Sequence, residues 1–339
     1  MSNIGIAAPL SLALIYGLGC IGMLMVFRYL AFPDFSSIGV MTASGPFTVF
    51  IGERLAAWGY AAPVMGLFGA TLCGGALGLV TTLQINRLRL TPIIAGIATF
   101  AFANFVAYAF AGGQAAYYFS KLTPRYIAPI TLQVFSWRTV VILISAIVLT
   151  AHLLRRLFAS HHGLYIMALQ ADPEYLRIRH TQVSAAKATV LVTGNGIIGL
   201  AAGFAALHEN GANIPNHPDF LIVALSAFGF STFAVSLIRR RYFREYMSKD
   251  DVVKSTTTGK LLLLVLPALG KALCLNEEEP QRIFCTFLLQ ALFGAIVYCI
   301  FRLCEFHFGQ HVEWFVKGVV LIGFMSLGVI SERNSQIQT

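Results

Sequence analysis

Long apolar stretches fill most of the chain, and their length predicts helices that cross a membrane. The first covers residues 4–27 without a charged side chain, and about 20 such residues suffice for one crossing. The others cover residues 61–83, 92–111, 139–154, 188–207, 220–238, 283–304 and 314–330. A further apolar run, 261–275, is short and contains Pro267 and Lys271, so it is either a half-span or a helix on the membrane surface.

One apolar segment, residues 32–51, differs from the rest because turn-forming residues interrupt it. The interrupting residues are Pro33, Asp34, Gly39, Gly45 and Pro46. Broken segments persist at membrane depth only where they are buried in protein or line a wet cavity. We therefore expect this segment to be broken or re-entrant and to lie inside the protein.

The composition is that of a membrane protein. The 339 residues are 57% hydrophobic and 12% charged, whereas soluble proteins carry about 25% charged residues. The N-terminal segment lacks the basic start and the cleavage site of a signal peptide, so we interpret it as a retained span. We predict an all-α fold, with residues 1–339 forming one polytopic integral membrane helical bundle of about 8 to 10 membrane segments.

Lysine and arginine residues collect at alternate ends of the predicted spans. They occur at Arg28 and in the segments 84–91, 155–187 and 239–260, the last of which holds seven. Cytoplasmic loops are enriched in these residues, so all four fall inside the cell if the N-terminus is outside. The net charge of +9 thus reflects topology, and we predict no nucleic-acid partner. Residues 239–282 are expected to be a cytoplasmic or half-spanning insertion.

The polar interval 155–187 contains a strong signal for the start of a helix. Asp172 suits the capping position, Pro173 the first helical position, and Glu174 the positive end of the helix dipole. A short surface helix between two membrane spans is suited to binding a partner outside the membrane. We therefore predict that this cytoplasmic interval docks onto another protein.

No motif for covalent chemistry or nucleotide binding is present. Gly259-Lys260 lacks the glycine that an ATP-binding loop has five residues earlier, where Lys254 stands. His208-Glu209 does not continue as a zinc-binding helix, because no second histidine follows at position 212. The six cysteines form no CxxC pair and suit buried apolar positions. We predict no catalytic residue, no metal and no cofactor on this chain.

Three polar side chains within the apolar segments are candidates for contact with a transported solute. Asp34 is the acidic residue of the interrupted segment, and an ionisable group at membrane depth is a functional candidate by default. The alternative interpretation is that Asp34 caps the broken helix and lies at the membrane interface. Asn104 and Asn195 lie inside spans, where they either contact the solute or form hydrogen bonds between helices.

One short sequence occurs twice. Pro33-Asp34-Phe35 opens an apolar run from the predicted inside, and residues 218–220, with the same sequence, open one from the predicted outside. An inverted repeat would produce this arrangement.

Five segments carry a further signal, namely RYLAFPDFSSIG (28–39), RLTPIIAGIATF (89–100), GLYIMALQADPEYLRIRHTQV (163–183), GNGIIGLAAGFAALHENG (194–211) and ALFGAIVYCIFRL (291–303). They resemble segments of a group of bacterial ABC-transporter permeases related to the branched-chain amino acid permeases, some of them described as tryptophan/tyrosine-type. Their order and spacing follow that group. The chain departs from it at Ile38, Gln170 and His180, so the resemblance indicates a divergent member.

The resemblance implies a permease subunit of an ABC importer in the bacterial inner membrane. Such a subunit pairs with itself or with a paralogue and moves an amino acid or similar solute by alternating access. Two cytosolic ABC ATPases hold the ATP and magnesium, and a periplasmic or extracellular solute-binding protein delivers the solute. On this resemblance, residues 155–187 are a coupling loop whose helix contacts an ATPase through Asp172, Pro173, Glu174, Tyr175, Arg177 and Arg179.

The solute path, on the same reading, runs past Phe32, Asp34, Thr99, Asn104 and Asn195. The alternative is an ion- or proton-coupled secondary transporter, whose broken helices and polar groups at mid-membrane would look similar. That alternative needs a carboxylate for coupling, and Asp34 is the candidate. A polytopic membrane enzyme is disfavoured, because no catalytic set of residues is present.

Overall fold

The protein is a bundle of helices, seen here in a computed structural model that describes residues 7–30, 32, 34–120, 137–171, 183–214, 220–231, 280–308 and 319. In chain order the helices are α1 (Ala7–Leu30), α2 (Ser36–Arg54), α3 (Ala61–Asn86), α4 (Pro92–Phe110), α5 (Trp137–Phe158), α6 (His161–Ala171), α7 (Val183–His208), α8 (Phe220–Ser231) and α9 (Pro280–Phe308). A 3-10 turn covers Ala56–Trp58, and two short strands, β1 (Ala116–Tyr118) and β2 (Gly211–Asn213), form an antiparallel ribbon.

Six of the described helices are long and apolar enough to cross a membrane, namely α1, α3, α4, α5, α7 and α9. The predicted all-α membrane fold is therefore confirmed. Most of these helices extend a few residues beyond the apolar runs, because backbone hydrogen bonding continues into the polar flanks. The predicted span at 314–330 lies outside the described residues, apart from residue 319.

The helices are buried to very different degrees. α7 and α1 are buried over 83% and 78% of their most apolar windows, whereas α4 and α5 are each buried over 28%. Helix α2 is also largely buried, between α3, α4 and α7. The bundle thus has a core of α1, α2 and α7, with α3, α4 and α5 presenting apolar side chains outward, as helices that face lipid do.

Glycines let α3 and α7 approach closely. A Cβ atom at Gly74 would overlap the backbone oxygen of Asn195, and one at Gly199 would overlap that of Ala70. Helices in membranes gain much of their association energy from van der Waals packing, which small residues at the contact improve. The glycines of these two spans therefore hold α7 in place at the level of Asn195.

Aromatic contacts show the direction of α8. Tyr16, early in α1, lies 6.1 Å from Phe220 at the start of α8, measured between ring centroids. Phe27, late in α1, lies 4.4 Å from Phe228 near the end of α8. The two helices are therefore parallel. We call the end of the bundle at which α1 finishes the inner end and the opposite end the outer end, following the predicted topology.

Helix α9 runs in the opposite direction to α1. Phe158, at the inner end of α5, lies 4.8 Å from Tyr29 and 6.0 Å from Phe287, while Tyr298 stacks on Tyr16 at 4.3 Å. Helix α8 thus ends, and α9 begins, at the inner end. The segment that joins them, with the predicted insertion at 239–282 and the short run 261–275, lies outside the described residues.

The interrupted segment differs from its prediction. Gly39, Gly45 and Pro46 lie inside one continuous helix, α2, so the interruptions expected there are wrong. The chain does break before the helix, between Leu30 and Ser36. The glycines serve close packing instead, since a Cβ at Gly39 would lie 2.8 Å from the backbone of α4.

The interval 155–187 is helical over much of its length. α5 continues to Phe158, α6 follows it, and α7 begins at Val183. Helix α6 packs on α1, α5 and α7, with Ile166 fully buried. The docking helix is predicted over residues 171–181, of which the structure describes only residue 171, the last of α6. The second Pro-Asp pair of the predicted repeat, at 218–219, lies outside the described residues.

Candidate functional site

Asp34 caps the N-terminus of α2. The backbone N–H of Ser36 donates to Asp34 Oδ1 at 2.9 Å, and the Ser37 hydroxyl donates to the Asp34 carbonyl oxygen at 2.6 Å. A carboxylate at this position satisfies an N–H group that has no partner within the helix, and it interacts favourably with the helix dipole. The aspartate thus explains why α2 starts where it does.

The second carboxylate oxygen of Asp34 reaches a different span. Asn195 Nδ2 donates to Asp34 Oδ2 at 3.1 Å and also lies 3.2 Å from the Ser36 hydroxyl oxygen. Asn195 is at the middle of the 26-residue α7, so the contact lies at mid-depth of a membrane span. Two residues that the sequence marks separately, 161 positions apart, therefore meet in one hydrogen-bonded cluster.

The cluster is fully enclosed, and within the part of the chain that the structure describes its carboxyl group has only neutral hydrogen-bond partners. Asp34, Ser36 and Asn195 are all 0% exposed. The partners of the carboxyl group are the backbone N–H of Ser36 and the side-chain amide of Asn195. Burial of a carboxylate is costly unless it is paired or fully hydrogen-bonded. Asn195 Oδ1 is also buried and has no hydrogen-bond partner among the described residues, so the polar groups here are only partly satisfied.

Ser36 is a member of this cluster that sequence reasoning missed. Its backbone and side chain both take part, as donor to Asp34 and as neighbour of the Asn195 amide. The signal was present, because a serine two residues after a capping aspartate is placed to donate its N–H. Helix α4 closes the other side, where a Cβ at Gly96 would lie 3.3 Å from Ser36 N.

Thr99 and Asn104 have hydrogen bonds elsewhere. The Thr99 hydroxyl accepts from Thr81 at 2.9 Å and donates to Gln84 Oε1 at 3.1 Å, which joins α4 to α3. Asn104 Nδ2 donates to the Phe100 carbonyl oxygen of its own helix at 3.1 Å. The structure therefore brings together Asp34 and Asn195 but does not hydrogen-bond these two residues to them.

Phe32 lies half-buried in the connection between α1 and α2, two residues before Asp34. Its place on the solute path stays a prediction. The six residues predicted to contact an ATPase fall within 172–182 and so lie outside the described residues.

A second carboxylate fixes the outer end of α2. Ser120, which follows β1, donates its backbone N–H to Glu53 Oε1 at 2.6 Å and its hydroxyl to Oε2 at 3.0 Å. Glu53 is 7% exposed. Nearby, partial burial raises the pKa of the Tyr117 hydroxyl, the charge of Glu53 raises it further, and that of Arg54 opposes the rise. This arrangement ties the β1–β2 ribbon to the end of the helix.

The described residues contain no group of three or more histidine, cysteine, aspartate or glutamate side chains that could hold a metal ion. What the Asp34 cluster offers is hydrogen bonding by a carboxyl group, a hydroxyl and an amide at the middle of α7. A membrane-spanning chain with a polar centre is suited to transport, and comparison with known families decides which kind of transporter it is.

A family model described as the permease component of a branched-chain amino acid transport system matches residues 5–241. The chain belongs to this family. Comparisons with curated proteins and with solved structures gave no match. The matched part includes both Asp34 and Asn195, whereas α9, which packs along α1, follows it.

As a branched-chain amino acid permease component, the chain is a multi-pass membrane protein that transports amino acids within an ABC system. It is not itself the ATPase, and ATP is bound by a partner subunit. The predicted kinship with branched-chain amino acid permeases is confirmed at this level, and the family disfavours the alternative of a secondary transporter. The tryptophan/tyrosine-type subgroup stays a prediction.

Proposed function

We propose that this permease component is the membrane subunit of an importer in a bacterial inner membrane, and that its solute path passes the Asp34–Asn195 pair. The observation that carries this is a carboxylate held at mid-depth by the amide of another span, 3.1 Å away. An ionisable residue inside a membrane span is a functional-site candidate by default. Thr99 and Asn104 are less suited to the path, since a hydrogen bond to α3 already occupies Thr99 and one within α4 occupies Asn104.

Alternating access would act through α2 and α7. The pair links the start of α2 to the middle of α7, so any movement that separates these helices must break it. Coupling to ATP would come through residues 172–182, which directly precede α7 along the chain. A rigid helix that begins at the coupling segment and carries Asn195 would transmit a displacement at the inner end to mid-membrane.

The proposed partners are two cytosolic ABC ATPases, a second permease subunit, and a solute-binding protein on the outer side. Membership of the family supports an ATPase and a binding protein in general. Whether the second permease is an identical copy or a paralogue is decided by purification. Isolating the tagged chain in a gentle detergent and identifying bound proteins by mass spectrometry should recover an ABC ATPase. Recovery of the chain without any ATPase would overturn the proposal.

The coupling role of residues 172–182 has its own test. Glu174→Lys with Arg177→Glu exchanges two charges and leaves the net charge unchanged. We expect this variant to lose the ATPase from the purified complex and to abolish ATP-driven uptake. Arg87→Glu, at an exposed position after α3, is the control and should retain both. Undiminished ATPase binding by the double variant would place the docking surface elsewhere.

A further inference from the structure

The amide nitrogen of Asn195 occupies a position suited to an amine. It lies 3.1 Å from Asp34 Oδ2 and 3.2 Å from the Ser36 hydroxyl oxygen. A carboxylate and a hydroxyl thus converge on one nitrogen. Both acceptors come from the start of α2, and the Ser36 N–H fixes the carboxylate by donating to its other oxygen at 2.9 Å.

A neutral amide satisfies the hydrogen bonding of this position but not its charge. The Asp34 carboxyl group is fully buried, and its hydrogen-bond partners among the described residues, the Ser36 N–H and the Asn195 amide, are neutral. A buried carboxylate is costly unless it is paired with an opposite charge, which a neutral amide does not supply. A cationic nitrogen would therefore bind here better than the amide does.

A third acceptor is within reach. An ammonium group has three N–H donors, and Asn195 Oδ1 is a buried acceptor without a partner. The terminal torsion of an asparagine side chain has a broad energy profile. If Asn195 turns its amide by half a rotation, Oδ1 replaces Nδ2 on the side that faces Asp34. Three oxygens, from Asp34, Ser36 and Asn195, would then surround one nitrogen.

We infer that Asp34, Ser36 and Asn195 form the subsite that holds the ammonium group of the translocated amino acid, and that the Asn195 amide fills this subsite when no solute is present. The inference rests on the proposed solute path. In this subsite Asp34 supplies the negative charge and Ser36 supplies a hydroxyl that orients the ammonium group. Asn195 gives up the position of its amide nitrogen when the ammonium group binds. All three are 0% exposed, so the ammonium displaces the amide nitrogen and does not bind beside it.

The subsite predicts which fragment of an amino acid the chain binds. The purified chain is heated with increasing concentrations of leucine, of 3-methylbutylamine, which lacks the carboxylate of leucine, or of 4-methylpentanoate, which lacks the ammonium. Leucine and the amine should raise the unfolding temperature, and the carboxylate should not. Stabilisation by the carboxylate alone, or by none of the three, would overturn the inference.

Variants of the pair locate the binding. Asp34→Asn keeps the capping oxygen of α2 but removes the charge, so the concentration of amine needed for half-maximal stabilisation should rise about tenfold or more. The double variant Asp34→Asn with Asn195→Asp puts a carboxylate back on the other side of the same hydrogen bond, and it should recover part of that loss. Ser145→Ala, on α5, removes a hydroxyl that donates to the Val141 carbonyl oxygen of the same helix, and it should leave amine binding unchanged.

The outcomes distinguish a failure of the ammonium subsite from a failure of the proposed importer function. Because the ligand effect is a difference between two unfolding temperatures of the same variant, a general loss of stability does not imitate it. If Asp34→Asn binds the amine as well as the unmodified chain does, the subsite is wrong. Purification of the chain with its ATPase would then still support the permease role. If the amine binds through Asp34 but no ATPase is recovered, the site stands and the importer proposal fails.

Discussion

The two ends of α2 are each held by a carboxylate, yet the two carboxylates are used differently. At the N-terminal end of α2, Asp34 caps the helix with one carboxyl oxygen and accepts a hydrogen bond from Asn195 of α7 with the other. At the outer end, both oxygens of Glu53 accept from Ser120 of the outer ribbon. Glu53 retains some exposure at 7%, whereas Asp34 has none.

Hydrogen bonding within the protein accounts for the role of Glu53 but only partly for the role of Asp34. The Glu53 charge lies at the negative end of the helix dipole, and its two hydrogen bonds to Ser120 account for both oxygens. Capping explains only one oxygen of Asp34. The other is joined to an asparagine that leaves its own acceptor unpaired. Partly satisfied polar groups in a protein core call for an explanation, and solute binding supplies one.

The largest effect on stability should follow from removing the Asp34 side chain altogether. Asp34→Ala loses the cap, worth about 1 kcal/mol, and leaves the Asn195 amide buried without its acceptor, which costs about 1–3 kcal/mol more. Chemical unfolding in detergent should show a loss of about 3 kcal/mol. Asp34→Asn retains the capping oxygen and should lose less than about half of that. Equal losses for both variants would show that the charge itself stabilises the fold.

A change on α3 should disturb the Asp34–Asn195 pair without touching Asp34. Gly74→Ala places a methyl group against the backbone oxygen of Asn195, so α7 must shift at the cost of about 2–3 kcal/mol. The next glycine is the matched control, because a Cβ at Gly75 would lie 3.5 Å from Val192, an ordinary contact. Gly75→Ala should be neutral or slightly stabilising. If both variants unfold alike, the close approach of α3 and α7 is not what holds Asn195.

A smaller effect is expected at the outer end. Glu53→Ala removes both acceptors of Ser120, and the partial exposure of this end lets water replace part of the loss. The free energy of unfolding should fall by about 1–2 kcal/mol, measured as for Asp34→Ala. Uptake per folded molecule should stay within about twofold of the unmodified chain. A severe loss of uptake with normal stability would mean that the outer carboxylate is also functional, and the contrast between the two ends would disappear.

The smallest effect should come from Thr99, the predicted path residue with hydrogen bonds to α3. Thr99→Val removes the hydroxyl that joins Thr81 and Gln84, and hydrogen bonds between membrane helices contribute about 0.6 kcal/mol on average. For the two bonds lost, the free energy of unfolding should fall by about 1 kcal/mol, and uptake should not change. A reduction of uptake by about tenfold or more would show that Thr99 does belong to the solute path.

The spans were predictable because the length and apolarity of a membrane helix are local properties. The role of the glycines and the proline in α2 was not predictable from the sequence. Such residues either break a helix or let a neighbouring helix approach, and the packing around them determines which of the two occurs. At Gly39 the backbone of α4 lies too close for a side chain. The sequence marks Asp34 as a polar group at membrane depth, but not its partner.

The pairing of Asp34 with Asn195 depends on how α2 packs against α7, which no local pattern encodes. Ser36 could have been foreseen from the capping pattern. Ser120 could not, because the ribbon that carries it pairs with β2, far along the chain. Polar contacts between distant helices are thus the part of the site that requires a structure.

The central claim is that Asp34 acts on the solute and is not only a cap, and one comparison tests it most directly. Uptake of labelled leucine by proteoliposomes that contain the assembled transporter, supplied with its solute-binding protein, is measured beside the unfolding temperature for Asp34→Asn. We predict that uptake falls about tenfold or more while the unfolding temperature drops by only a few degrees. Uptake that stays normal, or that falls only in proportion to the folded fraction, would contradict the claim and leave Asp34 a structural residue.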